Sequence, residues 1–384
     1  MALVILAVNS GSSSLKVGLY SYPDNDRGGD PVLVLNGAAN GIGSTNGHLS
    51  IQDAAGTRKL DEAYQLGTQG AALERFLNAI ARLTAGQPAL IGHRIVHGGP
   101  YLRDHQIITD DLIKKLEAAT QFAPLHIPPA VALIRETLRL LPNATQYACF
   151  DTVFHRTMPE VSRRYALPDH VYEMGVERYG FHGLSYESIV HRLGPTPPER
   201  VVCAHLGAGA SLAALRNGQS IDTSMGMTPT GGIPMATRTG DLDPGILLFL
   251  LRAQYTTADE LDVLFNRESG FGGLSGGQTD MRLLEQAAAN GDARAQLAIE
   301  VFAHAARKQI GAYAAELGGL DLLVFTGGIG EHSTSIRNRI CTGLEFLGIT
   351  SGEPDRCSKV RVMTSQEELQ IARIVLSRSA KLVG

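Results

Sequence analysis

The feature that most constrains this chain is a strand pair around a small polar turn, present twice. Residues 3–20 read LVILAVNSGSSSLKVGLY. The apolar run Leu3 to Val8 enters Asn9-Ser10-Gly11-Ser12-Ser13-Ser14, and a second run, Leu15 to Tyr20, follows at once. A β-rich run, a Gly/Ser turn and another run predict a hairpin. Its tip gathers hydroxyls, backbone N–H groups and Lys16, which suits a phosphate chain. It is not a P-loop, because that motif places its lysine at the start of a helix and Lys16 lies in a strand. Val201 to Leu206, the turn Gly207-Ala208-Gly209-Ala210-Ser211 and Leu212 to Leu215 repeat the pattern, with Ser14-Leu15 falling on Ser211-Leu212. An ordinary polar turn accounts for either copy alone. Two copies predict a duplicated α/β fold with one phosphate loop in each half.

Between and beyond the copies the pattern alternates. A helix is predicted over 68–83, with Ala72, Phe76, Leu77 and Ile80 on one face. A strand over 89–96 ends in His97-Gly98-Gly99-Pro100, and a helix covers 110–121. The stiff loop 122–129 leads into a helix whose first turn suits Pro129. A strand over 146–150 leaves Asp151 at its C-terminal end, where open α/β sheets place ligand-binding residues. Residues 152–185 read as irregular, and 221–244 mostly as loop. Helices follow over 244–253, 257–267, 279–288 and 293–317, the last with Ile299, Phe302, Ala306, Ile310, Tyr313 and Leu317 on one stripe. A strand over 321–325 enters Thr326-Gly327-Gly328-Ile329-Gly330-Glu331, with a helix expected from near Glu331, a turn that lets backbone approach a nucleotide. A strand over 359–363 and a helix over 367–376 close the chain.

Composition narrows the function classes. A chain of 384 residues suits two or three domains. A net charge of −4 gives no basic surface for nucleic acid. The N-terminal apolar run is too short to span a membrane and lacks a signal peptide's basic flank. The four cysteines lie far apart, without zinc spacing or a disulfide framework, which fits a reducing cytoplasm. Arg94, His126, Asp151, His182 and Arg238 fall in Gly/Pro-rich loops or at strand ends. A surface charge or structural hydrogen bond accounts for any one of them. Beside three glycine-rich turns, they point instead to phosphoryl transfer, which needs fixed positive donors and carboxylates for Mg2+, with Asp151 and Glu367 as candidates.

Seven motifs carry a resemblance over nearly the whole chain: Asn9 to Lys16, Gly92 to Gly99, Phe150 to Pro159, Arg178 to Gly183, Asp222 to Gly226, Thr237 to Pro244 and Thr326 to Glu331. The chain resembles the acetate kinase family. The resemblance implies the actin-like and sugar-kinase superfamily, a duplicated ribonuclease-H-like fold of two domains with an interdomain ATP cleft. The expected domains are 1–151, with 368–384 packing back onto it, and a nucleotide-binding and dimerisation domain over 152–367. It also implies a homodimer and reversible transfer from Mg2+-ATP (Mn2+ as an alternative) to acetate, giving acetyl phosphate and ADP. By resemblance, Asn9 and Glu367 lie at the metal positions, with adjacent Glu368 as the alternative to Glu367. Lys16 and Ser12 meet the nucleotide phosphates, as do His205, Leu206, Gly207, Ala208, Gly209, Asp280, Met281, Arg282, Gly328, Ile329, Gly330, Glu331 and His332 for the nucleotide. Arg94 binds the substrate carboxylate, and Val96, Leu125, Phe181 and Pro229 receive the methyl group. Asp151 is the family's catalytic acid, His182 and Arg238 stabilise the transition state, and His126 supports them.

Chemistry tempers one role. A carboxylic acid with a pKa of about 4.3 is already ionised at neutral pH, so acetate needs no general base. Asp151 then orders Mg2+ or its water. The chain departs from the family pattern at Ala208 and Gly231, where Asn and Glu are usual, and at Ala210 and His332. The rival readings are a propionate or butyrate kinase, and an actin-like ATPase without metabolic substrate. The last has no use for Arg94, His182 and Arg238 and ordinarily begins its first phosphate loop with Asp rather than Asn9.

Overall fold

The computed structural model describes residues 2–11, 13–23, 29–84, 86–253, 257–350 and 359–383. Ser12, expected at the phosphates, lies outside them. The first strands are β1 (Leu3–Ser10), β2 (Ser14–Tyr22), β3 (Val32–Asn40), β4 (His48–Asp53), β5 (Arg58–Ala63), β6 (Leu90–Ile95), β7 (Gln106–Ile107) and β8 (Thr145–Phe150). They form one sheet in the order β5-β4-β3-β2-β1-β6-β8-β7. The later strands are β9 (Arg200–Leu206), β10 (Ala210–Arg216), β11 (Gln219–Thr223), β12 (Leu322–Thr326) and β13 (Val360–Val362), in the order β11-β10-β9-β12-β13. The same plan lies in both. A hairpin is flanked by a third antiparallel strand on one side and by two parallel strands on the other. This is the duplicated ribonuclease-H-like arrangement, seen now in strand order.

Register corrects the expected alignment of the two copies. The last pair before the turn is Ser10 with Leu15 in the first hairpin and Leu206 with Ala210 in the second. Matched at the tips, Ser211 falls on Lys16 and His205 on Asn9, since Asn9 pairs Lys16 and His205 pairs Ser211.

The helices of the first half are α1 (Gln69–Leu83), α2 (Asp110–Ala118) and α3 (Ile127–Leu140). Thr68 caps α1 by accepting from the Ala71 N–H, and Ala72, Leu73, Phe76 and Ile80 turn inward. Pro128 and Pro129 sit in the first turn of α3, where a missing N–H costs nothing. The region read as irregular holds short helices α4 (Glu160–Arg163) and α5 (Asp169–Glu173), then α6 (Gly183–Leu193). Next come α7 (Pro244–Arg252), α8 (Ala258–Arg267), α9 (Gly270–Ser275), α10 (Met281–Ala289) and α11 (Ala293–Leu317). The stripe on α11 is buried as its spacing predicts, and a left-handed Gly318 ends the helix. Helices α12 (Gly327–His332), α13 (Thr334–Cys341) and α14 (Glu367–Val383) complete the chain. The glycine turn after β12 is thus itself the first turn of a helix. Among the described residues no helix is long and apolar enough to cross a membrane.

Contacts divide the chain into two units. One comprises residues 1–153, 183–188 and 366–384, the other 154–182 and 189–365. The segment 183–188 falls in the first unit, not with the rest of 152–367. There the Gly183 N–H donates to the Asp151 carbonyl, and Leu184 is buried with Tyr147, Cys149 and the α14 residues Ile371 and Val375.

The first unit has an apolar layer on each side of its sheet. On one, α1 lies so close to β3 that a Cβ at Gly37 would stand 2.5 Å from Phe76 Cε1. On the other, α14 crosses β6 at Gly92, where a Cβ would meet Ile371 Cγ2 at 2.3 Å and Val375 Cγ2 at 2.7 Å. Both neighbours are β-branched and stiff, so neither swings aside cheaply. Gly92→Ala is expected to destabilise the protein by about 1–3 kcal/mol through overpacking. Urea unfolding of the variant checks this, and an unchanged midpoint would contradict so close an approach.

Candidate active site

At the C-terminal edge of the first sheet, neighbouring strands β1, β6 and β8 deliver Asn9, Arg94 and Asp151 side by side. Arg94 donates to Asp151 Oδ2 from Nε at 2.9 Å and from Nη2 at 2.7 Å. Its Nη1 donates to Asn9 Oδ1 at 3.1 Å. Asn9 Nδ2 donates in turn to Glu367 Oε2 at 2.9 Å and to Glu368 Oε1 at 2.8 Å, both on the first turn of α14. The side chain of Asp151 is 1% exposed and that of Arg94 17%. Burial lifts the Asp151 carboxyl above the ordinary carboxylate range, and the Arg94 charge opposes that lift. Arg94 itself is held firmly protonated by Asp151, Glu367 and Glu368 against the cost of its own burial.

The oxygens of this cluster suit a hard cation. Asp151 Oδ1 is buried without a hydrogen-bond partner, and Glu367 and Glu368 add acceptor-only oxygens. Among the described residues no group of three or more His, Cys, Asp and Glu side chains forms a ready-made cage. Mg2+ in phosphoryl-transfer sites needs none, taking one or two carboxylates together with phosphates and water. The Asn9 amide is already engaged at both ends. Its Nδ2 bonds both glutamates, so Glu367 and Glu368 stand alike beside Asn9.

Lys16 lies exposed opposite Asn9 in the hairpin. Val96 is half-buried just beyond β6, and Leu125 and His126 are half-buried at the entry to α3. These five residues belong to the first unit. Phe181 and Pro229 are buried in the second.

The second unit builds its cluster around a glycine turn. His182 Nδ1 lies 2.9 Å from Ser211 Oγ, and its ring stacks on His205 with centroids 4.3 Å apart. A Cβ at Gly209 would stand 3.3 Å from His182 Nε2 and 3.9 Å from Arg238 Nη1. Imidazole and guanidinium therefore face the same glycine. Arg238 Nη1 also donates to the Pro229 carbonyl at 3.1 Å. The Arg238 loop is pinned by backbone: Ala236 N–H donates to the Ala208 carbonyl, Met235 N–H to the Arg238 carbonyl, and Phe271 N–H to the Met235 carbonyl. Gly270 at φ 65° permits this, because a Cβ there would lie 2.0 Å from the Met235 oxygen. Ala208 thus takes part through its carbonyl, whatever its side chain. Gly231 stands beside Asp241, which accepts from the Gly232 N–H at 2.7 Å.

The expected nucleotide stretches differ in what they offer. Gly207 and the start of α12 are adjacent, since a Cβ on Gly207 would stand 3.9 Å from the Gly328 nitrogen. Gly328 is exposed with open space before it, as is His332 exposed at the helix end, while Ile329 is half-buried and Gly330 buried. The Glu331 carboxylate turns back to accept from the Gly327 N–H at 3.0 Å and the Ser365 N–H at 3.3 Å. It braces the turn rather than facing outward. Asp280 caps α10 and is paired with Arg282, which holds its carboxyl down at about 2. Met281 between them is buried. His205 and Leu206 end β9 at the same turn.

Two mixed sheets sharing this strand plan, with these clusters at the strand ends, define a phosphotransferase-type fold. The sequence matches the Acetokinase family over residues 4–378, and the chain belongs to that family. An acetate kinase of Geobacillus kaustophilus (strain HTA426) is 40% identical over 396 aligned positions, covering 97% of this chain and 98% of that protein. The crystal structure of Porphyromonas gingivalis acetate kinase matches with a TM-score of 0.82 at 35% identity, over 98% of this chain and 100% of that one. A propionate kinase from Francisella tularensis matches with a TM-score of 0.87 at 32% identity, over 98% and 99%.

Sequence reasoning did not single out Ser211, His155 or Asp241. Ser211 was visible as a repeat position and His155 inside the Phe150 to Pro159 motif, but nothing local shows which side chains they meet.

The Arg94–Asp151 pair makes a pH-dependent prediction. Without the guanidinium, burial and the Glu367 charge lift the Asp151 carboxyl further, with its largest opposing influence gone. A group whose pKa is raised on folding stabilises the fold below its unfolded pKa, and that contribution is lost as pH rises through the folded value. Arg94→Met is expected to lose about 3–5 kcal/mol at neutral pH, the cost of a buried charge left alone. The deficit against wild type should shrink on going from about pH 8 to about pH 5. Urea unfolding at both pH values measures it, and a deficit independent of pH would exclude a strained Asp151 carboxylate.

Proposed function

We propose that this chain is an acetate kinase, transferring the γ-phosphoryl group of ATP to acetate and running in reverse from acetyl phosphate and ADP. The observation that carries the reading is the convergence of His182 Nε2 and Arg238 Nη1 on Gly209 of the second glycine turn. An imidazole and a guanidinium facing a backbone turn suit a phosphoryl group whose charge spreads over its oxygens in the transition state. In the first unit Arg94 is the donor for the acetate carboxylate, and Lys16 a phosphate contact. Val96, Leu125, Phe181 and Pro229 are the apolar residues for the methyl group. Mg2+ neutralises phosphate charge when bound, and Glu367, Glu368 and Asp151 would hold it. Asp151 serves there by ordering the ion or its water, since acetate arrives ionised. His126 supports the substrate side. The work left to the protein is alignment and charge neutralisation, in a cytoplasmic enzyme.

A second copy of the chain is the proposed partner. Helix α7 is apolar on nearly every position, yet none of its residues is buried, and Leu248 and Phe249 are 53% and 67% exposed. A helix apolar all round ordinarily lies within a protein interior. Light scattering at micromolar concentration should return twice the 41.0 kDa chain mass, and a mass of 41.0 kDa would remove the dimer.

A longer-chain acyl kinase is the second reading, supported by the close structural match to a propionate kinase. Hydroxamate trapping of the acyl phosphate formed from acetate, propionate and butyrate separates the two. An apolar pocket distinguishes one methylene by about 10–200-fold, so kcat/KM for acetate is expected to exceed that for propionate at least roughly tenfold. Equal or better use of propionate would transfer the assignment to the longer-chain kinase.

A further inference from the structure

His182 adopts φ 57° and ψ 24°, a left-handed conformation that non-glycine residues rarely take. Such a backbone persists only where its surroundings over-determine it. The residues before it are held in turn. Arg178 Nη1 donates to the carbonyls of Thr223, Ser224 and Met225, and the Gly180 N–H donates to the Gly226 carbonyl. The last hold comes from His155, a buried residue that the proposed reaction does not use. Its Nε2 lies 2.9 Å from the Phe181 carbonyl oxygen, and its Nδ1 lies 2.8 Å from Ser220 Oγ. A carbonyl only accepts, so Nε2 carries the proton, and in the neutral ring the Ser220 hydroxyl donates to Nδ1. His155 is 1% exposed and Ser220 fully buried. The ring also lies against Gly180, where a Cβ would stand 2.6 Å from His155 Cδ2. The Phe181 carbonyl belongs to the peptide plane that joins Phe181 to His182. Rotation of that plane is what sets φ of His182.

We propose that His155 is a positioning residue for phosphoryl transfer: by donating to the Phe181 carbonyl it locks the peptide plane that holds His182 left-handed, and so keeps His182 Nε2 on the Gly209 turn. The proposal rests on the reading of His182 as a group that faces the transferring phosphoryl. Ser220 orients the His155 ring from behind, and is itself fixed by Thr157, whose hydroxyl donates to the Ser220 carbonyl at 2.8 Å.

The test uses the full chain with acetate and Mg2+-ATP. His155→Phe keeps a ring but removes the donor. It is expected to lower kcat about 10- to 100-fold with both KM values within about twofold, the pattern of a displaced transition-state group. His155→Gln restores an N–H donor and should recover most of the loss. In a His182→Ala background, His155→Phe should cost no more than about twofold further, because its effect passes through His182. A wild-type kcat in His155→Phe, or an equal loss in both backgrounds, overturns the proposal. Should His155→Phe fail to fold, Ser220→Ala takes its place, with a lower kcat in the wild-type background and none in the His182→Ala one; an unchanged kcat overturns it. Imidazole 15N spectra give a readout independent of turnover. The His182 ring signals should move in His155→Phe and return in His155→Gln, and unmoved signals reject the lock. A wild-type chain that forms no acyl hydroxamate would defeat the functional reading, while the spectra still decide the role of His155.

Discussion

The first unit depends on offsetting the burial of one carboxyl group. Asp151 is buried at the end of β8, and burial works against its charge. A forked guanidinium on the next strand offsets that cost with two donors to one oxygen. Arg94 then needs its own third partner, which Asn9 supplies, and Asn9 needs acceptors, which the first turn of α14 supplies. The chain of demands runs from the core strands to the last helix. It explains why α14 packs so tightly across Gly92: a helix carrying two of the cluster's carboxylates must be held without slack.

The second unit reaches a comparable precision by backbone rather than by buried charge. Its cluster of His182, His205, Ser211 and Arg238 surrounds a turn with no side chain of consequence at Gly209. Carbonyls and amides of the 208, 235–238 and 270–272 segments lock onto one another. The glycines are there because the segments pass too close for a Cβ, as at Gly270. Backbone held in this way fixes where the His182 and Arg238 side chains start, so less is left to side-chain freedom.

Much of the fold was legible in the sequence, for identifiable reasons. Helix α11 was readable from its apolar stripe, and the Asp292 cap and Gly318 stop found in the structure agree with it. The hairpin β1–β2 was readable because a long apolar run stops at a polar turn. Strands β3 to β5 were not: β3 carries Gly37, Ala38 and Ala39, and β5 is charged and mostly exposed, so neither shows the alternation of a half-buried strand. Helix α9 was hidden because GFGGLS is a poor helix former, held by the loop it clamps. The candidate cluster of each unit was legible as a list of residues, since the motifs name Asn9, Arg94 and Asp151 for the first and His182 and Arg238 for the second. It was not legible as a set of contacts.

The sequence by itself determined the family, the duplication and the residue types at each strand end, because these are written in local pattern and motif. Only the tertiary structure decided that the Asn9 amide bridges Glu367 and Glu368, that His205 and Ser211 take the hairpin places of Asn9 and Lys16, and that Glu331 turns inward. The reason is physical. Helix and strand periodicity report which face of a segment is buried, a property of neighbours along the chain. Pairings between side chains hundreds of residues apart depend on register and on close approaches at glycines such as Gly92 and Gly209, which exist only once the sheets and helices have packed.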